Sequence, residues 1–226
     1  RFGVGYDGVE VSACTESDVI LCITAGAVDR PVAEATVGWM IALGHRMMNK
    51  DQLVRTGHWY QSNQYMGCEL RDRVLGVVGL GGIGSAVIKL LEGFGMKKTL
   101  VYDPFMNKNK AEELGVNKVE LHELMEHSDF ITVHCPLNEK TRDLISYREL
   151  SLMKSSSFII NTARGGIINE DALFEVLSKK NIAGAALDCF NDEPIIKPHR
   201  FGELDNVLLA PHSIAWTQEL FRDMGK

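Results

Sequence analysis

This sequence has no apolar run long enough to cross a membrane and no recognisable signal peptide. With Arg rather than Met at position 1, the true N-terminus and any targeting signal stay open. Positive charge is not in excess: 24 Lys and Arg stand against 30 Asp and Glu, a formal net charge of −6. Binding phosphate backbones needs the opposite balance, so neither nucleic acid nor a membrane is expected as a partner. The five cysteines (Cys14, Cys22, Cys68, Cys135, Cys189) are odd in number and scattered, and no C-x-x-C pair occurs. That usage argues against a disulfide framework and against a metal site, and for a reducing, cytoplasmic setting. His122-Glu123-Leu124-Met125-Glu126-His127 resembles a zinc helix on the surface, but Glu126 stands where H-E-x-x-H requires His. Internal repeats and low-complexity tracts are also missing. What is there is ordinary globular material: 226 residues, 45% hydrophobic and 24% charged, enough for one large domain or one domain with pieces of another.

The organising stretch runs from Val74 to Asp103. An apolar run, Val74-Leu75-Gly76-Val77-Val78, enters Gly79-Leu80-Gly81-Gly82-Ile83-Gly84. An amphipathic segment follows over 85–94, and a second apolar run, Thr99-Leu100-Val101-Tyr102, ends at Asp103. Strand, glycine turn, helix and strand in this order form a dinucleotide-binding βαβ unit, with the acid 19 residues past Gly84, near the expected offset of about 20. Gly79 permits the tight turn, Gly81 lets the backbone approach a pyrophosphate, and Gly84 lets the helix pack on the strand. The amides opening the helix, with the positive end of its dipole, would face the phosphates. Asp103 can accept hydrogen bonds from a ribose diol and repels a 2′-phosphate, and no Arg or Lys occurs between it and Lys108. NAD is therefore favoured over NADP.

The rest of the chain reads as alternation. A glycine turn at 1–7 leads to a short helix over 9–17 and a buried strand over 19–23. A helix from Val32 to about Met48 is apolar or small on most faces and so belongs at a domain or subunit interface. A more polar stretch follows over 50–64. After Asp103 come helices over 110–114, 121–127 and 170–178, the last capped by Asn169, and strands over 118–119, 129–134, 158–161, 183–187 and 207–209. Strands alternating with helices predict an α/β fold with a doubly wound parallel sheet, whose ligands gather at the carboxyl ends of the strands. Gly79, Asp103, His134, Arg164, Asp188 and His212 all fall at or just past such ends.

Arg164, Glu193 and His212 make the strongest constellation among them. An imidazole can hold and release a proton at working pH, a carboxylate on its far nitrogen fixes the tautomer, and a guanidinium binds a carboxylate or polarises a carbonyl. His45, His58, His122, His127 and His199 read as ordinary surface or core residues, and His134 as lining the adenine side.

At this point the chain resembles the D-isomer-specific 2-hydroxyacid dehydrogenases, NAD-dependent enzymes that include phosphoglycerate dehydrogenases. The matching pieces are Gly3-Val4-Gly5-Tyr6-Asp7, Val32-Ala33-Glu34, the glycine fingerprint, Tyr102-Asp103-Pro104, and Asp129 through Leu137. They continue through Asn161-Thr162-Ala163-Arg164-Gly165-Gly166, Ala185-Ala186-Leu187-Asp188, Glu193-Pro194 and Pro211-His212. The resemblance implies a Rossmann-type NAD-binding domain over 28–213. Residues 1–27 would be a remnant of a flavodoxin-like substrate domain, and 214–226 a return segment toward it. It implies that Arg164, Glu193 and His212 are the catalytic trio. Gly79, Gly81, Gly82, Ile83, Gly84 and Asp103 would hold the cofactor, with Cys135, Pro136 and Thr141 around the adenine and Thr162, Ala163, Asp188 and His212 near the nicotinamide. The Val4 and Gly5 amides and Arg164 would bind the substrate carboxylate.

Gly82 stands where many members have Arg, which implies a missing pyrophosphate contact. The family's first domain starts well before residue 1 and its last helix runs past Lys226, so only part of the substrate domain is expected here. The implied activity interconverts a D-2-hydroxy acid and its 2-oxo acid, in a homodimer built on the helix from Val32. Two other readings stay open: an NADH-sensing corepressor, since the C-terminal-binding proteins share the fold and trio, and phosphite oxidation on the same scaffold. Formate enzymes pair the histidine with Gln, and Glu193 counts against them.

Overall fold

The computed structural model describes the backbone of residues 1–226 and every side chain except that of Lys108. Among the described residues one parallel sheet holds seven strands: β1 (Val74–Val78), β2 (Lys98–Tyr102), β3 (Asn117–Lys118), β4 (Phe130–Val133), β5 (Phe158–Asn161), β6 (Gly184–Leu187) and β7 (Val207–Leu209). Their spatial order, β3-β2-β1-β4-β5-β6-β7, turns back at β1, which pairs with β2 on one side and β4 on the other. This is the Rossmann-type doubly wound arrangement, and the reversal opens a crevice above the carboxyl end of β1.

The central strands β1, β4, β5 and β6 are buried at every position and mostly apolar because both faces of the sheet are covered there. Side chains alternate between two cores. Val74, Val78, Ile131, Val133, Ile159, Ala185 and Leu187 join one face with the helices α6 (Leu121–His127), α7 (Tyr147–Ser151) and α8 (Glu170–Ser178). Leu75, Val77, Phe130, Phe158, Ile160 and Ala186 join the other with α2 (Asp29–Gly44) and α4 (Gly82–Leu90). The small strand β6 lets α2 come close to the sheet. Local signals set the helix starts: Asn169 accepts from Ala172 N at 3.0 Å to open α8, and Ser146 with Glu149 forms a capping box on α7. The other helices are α1 (Val11–Glu16), α3 (Met47–Arg55), α5 (Lys108–Glu113) and α9 (Gln218–Met224).

Two expectations from the sequence need correcting. The run Val19–Ile23 is not a buried strand. Ile20 is 86% exposed, and the segment is held only by single bonds such as Thr24 N to Gly3 O at 3.1 Å and the terminal amine to Cys22 O at 2.7 Å. An apolar run with no neighbouring strand has no ladder to join. The long helix also differs: α2 starts at Asp29, not Val32, and stops at Gly44. The chain breaks at Arg46, whose φ is 54°, and restarts at Met47 as α3, which runs on to Arg55 inside the stretch read as more polar. The break is fixed by tertiary contacts, since the Arg46 guanidinium donates to Ala183 O at 3.0 Å and lies over the Phe158 ring at 5.2 Å. No residue before Val28 is buried.

Candidate active site and cofactor crevice

The glycine loop follows β1 and runs straight into α4. Gly79 has φ 93°, and a Cβ there would come within 2.7 Å of Cys135 N in the loop after β4. A Cβ at Gly84 would meet Gly79 O at 2.5 Å, whereas at Gly81 nothing lies within 4 Å. The three positions thus give a left-handed turn, an open approach and a close helix–strand contact. Ser85 N, bonded to Gly81 O at 3.1 Å, is the first intrahelical donor, which leaves the amides of Gly82, Ile83 and Gly84 facing the crevice end of α4. Asp103 sits at the rim. Its Oδ2 accepts from Leu80 N at 2.7 Å and its Oδ1 from Phe105 N at 2.8 Å, so the carboxylate is fixed with lone pairs to spare for a diol. An open backbone, helix-opening amides with no partner among the described residues and a pinned acid fit a dinucleotide.

Two features of this crevice were not foreseen. Lys110 folds back to donate to Leu80 O at 2.7 Å, placing a cation beside the loop that Asp103 holds; the side chain of Lys108 lies outside the described residues. A Cβ at Gly82 would fall on the Asp29 carboxylate, so this position has no room for an Arg unless Asp29 moves.

His134, Cys135, Pro136 and Thr141 line the loop above β4. Thr141 Oγ1 donates to Pro136 O at 2.6 Å and accepts from Asn138 N at 2.8 Å, so its hydroxyl is committed to shaping the loop. Both His134 ring nitrogens are shut away without a partner, though part of the residue stays open, and burial lowers its pKa to about 3. Burial likewise pushes the Cys135 thiol up to about 11.

Arg164 leaves the end of β5 on a short turn that Asn161 braces, donating through Nδ2 to Arg164 O at 2.8 Å and accepting from Ala163 N at 3.0 Å. Thr162 is buried, its hydroxyl 3.4 Å from that of Thr36 on α2. The Arg164 guanidinium lies against Gly5, where a Cβ would displace it, and its Nε bonds Asp7 Oδ2 at 2.8 Å. Partial burial pushes the Asp7 pKa up, but the hydrogen bond and charge of Arg164, helped by His212, outweigh it and hold the carboxyl below its usual range. The N–H groups of Val4 and Gly5 have no partner among the described residues.

Glu193 and His212 come from the loops after β6 and β7. His212 Nδ1 lies 2.6 Å from Glu193 Oε2, and Glu193 Oε1 accepts from Phe190 N at 2.8 Å, so one carboxylate is held by the backbone and holds the ring in turn. His212 adopts φ 54° and its side chain is 43% exposed, open to the crevice mouth. Asp188 is buried and accepts from Ser213 N at 2.9 Å and Ile214 N at 3.2 Å, which ties the histidine loop to β6. Burial raises its pKa, and those amides and His212 partly offset the rise.

The fold therefore gathers the trio and the fingerprint at one sheet edge. Reasoning from sequence missed Asp7 as the partner of Arg164, a contact spanning 157 positions that no local pattern announces. It also missed Cys189, whose sulfur, one Glu193 oxygen and one His212 nitrogen lie within 4.8 Å of one another. The expectation of no metal site rested on spacing along the chain, which is blind to such a cluster.

Comparison with known proteins places this arrangement. Residues 37–213 match the family model described as D-isomer specific 2-hydroxyacid dehydrogenase, NAD binding domain. The whole chain is 41% identical to a D-3-phosphoglycerate dehydrogenase of Methanocaldococcus jannaschii, of which it spans 43%. It is 36% identical over 222 residues to a glyoxylate reductase of Korarchaeum cryptofilum, covering 97% of the chain and 67% of the relative. Among solved structures, the D-lactate dehydrogenase of Aquifex aeolicus, complexed with NAD and lactic acid, superposes with a TM-score of 0.89 at 29% identity, over 99% of this chain and 71% of that one. A family model covering more than half of the chain, on a sheet of matching topology, settles the affiliation: this chain belongs to the D-isomer-specific 2-hydroxyacid dehydrogenases and carries their NAD-binding domain.

Proposed function

We propose that the protein interconverts a D-2-hydroxy acid and its 2-oxo acid. The observation that carries this reading is the His212 Nδ1–Glu193 Oε2 contact of 2.6 Å at the sheet edge that also presents the glycine fingerprint and Arg164. NAD, when bound, supplies or takes up the hydride at the substrate carbon. The chain's own residues do the rest. His212 presents Nε2 to the substrate oxygen, donating a proton in reduction and accepting it in oxidation. Glu193, fixed by Phe190 N, holds the ring by Nδ1 and so keeps the proton-transfer nitrogen aimed outward. Arg164 and the free Val4 and Gly5 amides receive the substrate carboxylate, with Asp7 orienting the guanidinium. The fingerprint glycines, Ile83 and Asp103 hold pyrophosphate and ribose. Cys135, Pro136 and Thr141 border the adenine, and Thr162, Ala163 and Asp188 the nicotinamide.

In the same reading residues 1–27 and 214–226 belong to a substrate domain, a reading supported for the first segment by its having no buried residue before Val28. A homodimer is proposed as well. The buried face of α2 is consumed within the chain, so the supporting surface is the exposed apolar set on α3 and the turn after it: Met47, Met48, Trp59 and Tyr60. A concentration-independent monomer mass in sedimentation would reject the dimer. Among the described residues no helix is long and apolar enough to cross a membrane. A cytoplasmic setting is proposed from the five unpaired thiols.

The test is a panel of 2-oxo acids, including glyoxylate and 3-phosphohydroxypyruvate, followed by the loss of NADH absorbance. NADH oxidation with at least one of them is expected. Tight NADH binding with no turnover across the panel would overturn the reading.

A further inference from the structure

We propose that Cys189, Glu193 and His212 form a capture site for a thiophilic divalent cation such as Zn²⁺, and that occupancy blocks His212. The three donor atoms are a thiol sulfur, a carboxylate oxygen and an imidazole nitrogen, the set that zinc prefers, and all lie within 4.8 Å of one another. A tetrahedral zinc centre needs them at roughly 3.3–3.5 Å, so no pair has to close by more than about 1.5 Å on binding, while the 2.6 Å His212–Glu193 contact opens slightly.

The donors are held rather than loosely adjacent. Cys189 is buried at the end of β6, Glu193 is pinned by Phe190 N, and Asp188 ties the loop carrying His212 to the same strand through Ser213 N and Ile214 N. Burial, with Asp188 and Glu193 close by, raises the Cys189 thiol well above its usual range, so the metal must displace its proton; the same two carboxylates favour a cation, and Arg164, the nearby positive side chain, is paired with Asp7. Entry is open from the crevice through His212 and Glu193, whose side chains are 43% and 33% exposed. Binding displaces the thiol proton to solvent, moves any proton on the ligating His212 nitrogen to the other ring nitrogen or to solvent, forms bonds to sulfur, nitrogen and oxygen, and leaves a fourth position open toward the crevice. With its nitrogen on the metal and its bond to Glu193 disturbed, the imidazole can no longer exchange a proton with substrate. That consequence rests on the acid–base reading of His212; the metal site itself does not.

The experiment is a Co²⁺ titration of the intact chain. One equivalent is expected to produce a near-ultraviolet thiolate-to-cobalt charge-transfer band, lost in Cys189→Val and also in His212→Gln. The second variant changes an exposed side chain and keeps the test decisive should the buried substitution unfold the protein. A band that survives in the folded variants, which would place the metal on one of the other four cysteines, overturns the proposal, as does cobalt binding without a thiolate band. In the kinetic arm Zn²⁺ is expected to abolish turnover reversibly, with EDTA restoring it. Cys189→Val should keep basal activity and need at least the roughly 10–100-fold more zinc that loss of even an outer-shell partner costs. Equal zinc sensitivity in that variant overturns the inhibitory role. Should the chain turn over no substrate, the acid–base reading fails while the cobalt band still decides the site.

Discussion

The two halves of the crevice are built in opposite ways. The cofactor half is local: Gly79, Gly84 and Asp103 lie within one βαβ unit, are held by backbone contacts, and have no room for a side chain at Gly79 or Gly84. The chemical half is assembled from loops that leave different strands, one of its contacts reaching 157 positions along the chain. Arg164 meets Asp7 across 157 positions, and Glu193 meets His212 through side chains that remain partly open to solvent. A region that is packed and local ties function to stability, and one that is distant and exposed lets the two vary separately. Substitutions should therefore fall into two kinds.

The largest effect is expected from the exposed half. His212→Ala should lower kcat by about 10²–10⁴-fold, the usual worth of a positioned acid–base group. The side chain is 43% exposed, so the melting temperature should barely move and NADH affinity should be preserved. Kinetics paired with a thermal melt check this. Unchanged turnover would remove His212 from the chemistry, and a collapsed melt would show that the two halves are not separable.

Gly79→Ala makes the opposite case. A methyl at φ 93° is strained and would press on Cys135 N at 2.7 Å, a backbone atom that cannot swing away. A loss of about 2–3 kcal/mol is expected, with the melting temperature falling by about 2–4 °C for each of them. NADH binding should weaken in the same variant, read by the fluorescence of the bound nucleotide. A melt that falls while NADH affinity stays intact would separate the fold of the loop from its role.

This contrast also explains what the sequence revealed. The βαβ unit was legible because its signals are contiguous: an apolar run, glycines at fixed spacing, and an acid at a fixed offset. Strands β4, β5 and β7 were legible for the same reason, as short apolar runs ending at turn residues. Arg164, Glu193 and His212 stood out only as residue types at strand ends, and family resemblance was needed to group them. Asp7 was illegible because its partner lies 157 positions away, and Cys189 because only the folded loops after β6 and β7 bring its sulfur to Glu193 and His212. The strand expected over 19–23 failed because an apolar run says nothing about the presence of a neighbour to pair with. The break at Arg46 was hidden because its cause is the Ala183 carbonyl just before β6 and the Phe158 ring on β5.

A smaller effect is expected at His134, on the packed side. Its unfolded pKa is 6.5 and burial lowers the folded value to about 3, so between those values the unfolded chain binds the extra proton. Stability must then fall as pH drops through this window, by about 2 kcal/mol between pH 6.5 and pH 5. Denaturant unfolding of His134→Gln should show that component missing, so that the two stability curves converge as pH is lowered. Curves that stay parallel would mean that the imidazole is not kept neutral by its surroundings.

The smallest effect tests whether nearness along the chain is enough to couple scaffold and site. Asn169 lies five positions after Arg164, yet its side chain bonds Ala172 N and Asp143, where Nδ2 donates to Oδ1 at 3.0 Å. Neither contact touches the trio. Asn169→Ala removes an N-cap and should cost about 1 kcal/mol of stability, visible as a lower denaturant midpoint at unchanged m-value. Turnover should remain within about twofold, since surface and cap changes away from reacting groups act on folding alone. Should kcat fall along with the midpoint, the turn that presents Arg164 would be set by the start of α8 rather than by Asn161, and the chemical half would be less independent of the scaffold than its exposed, long-range contacts imply.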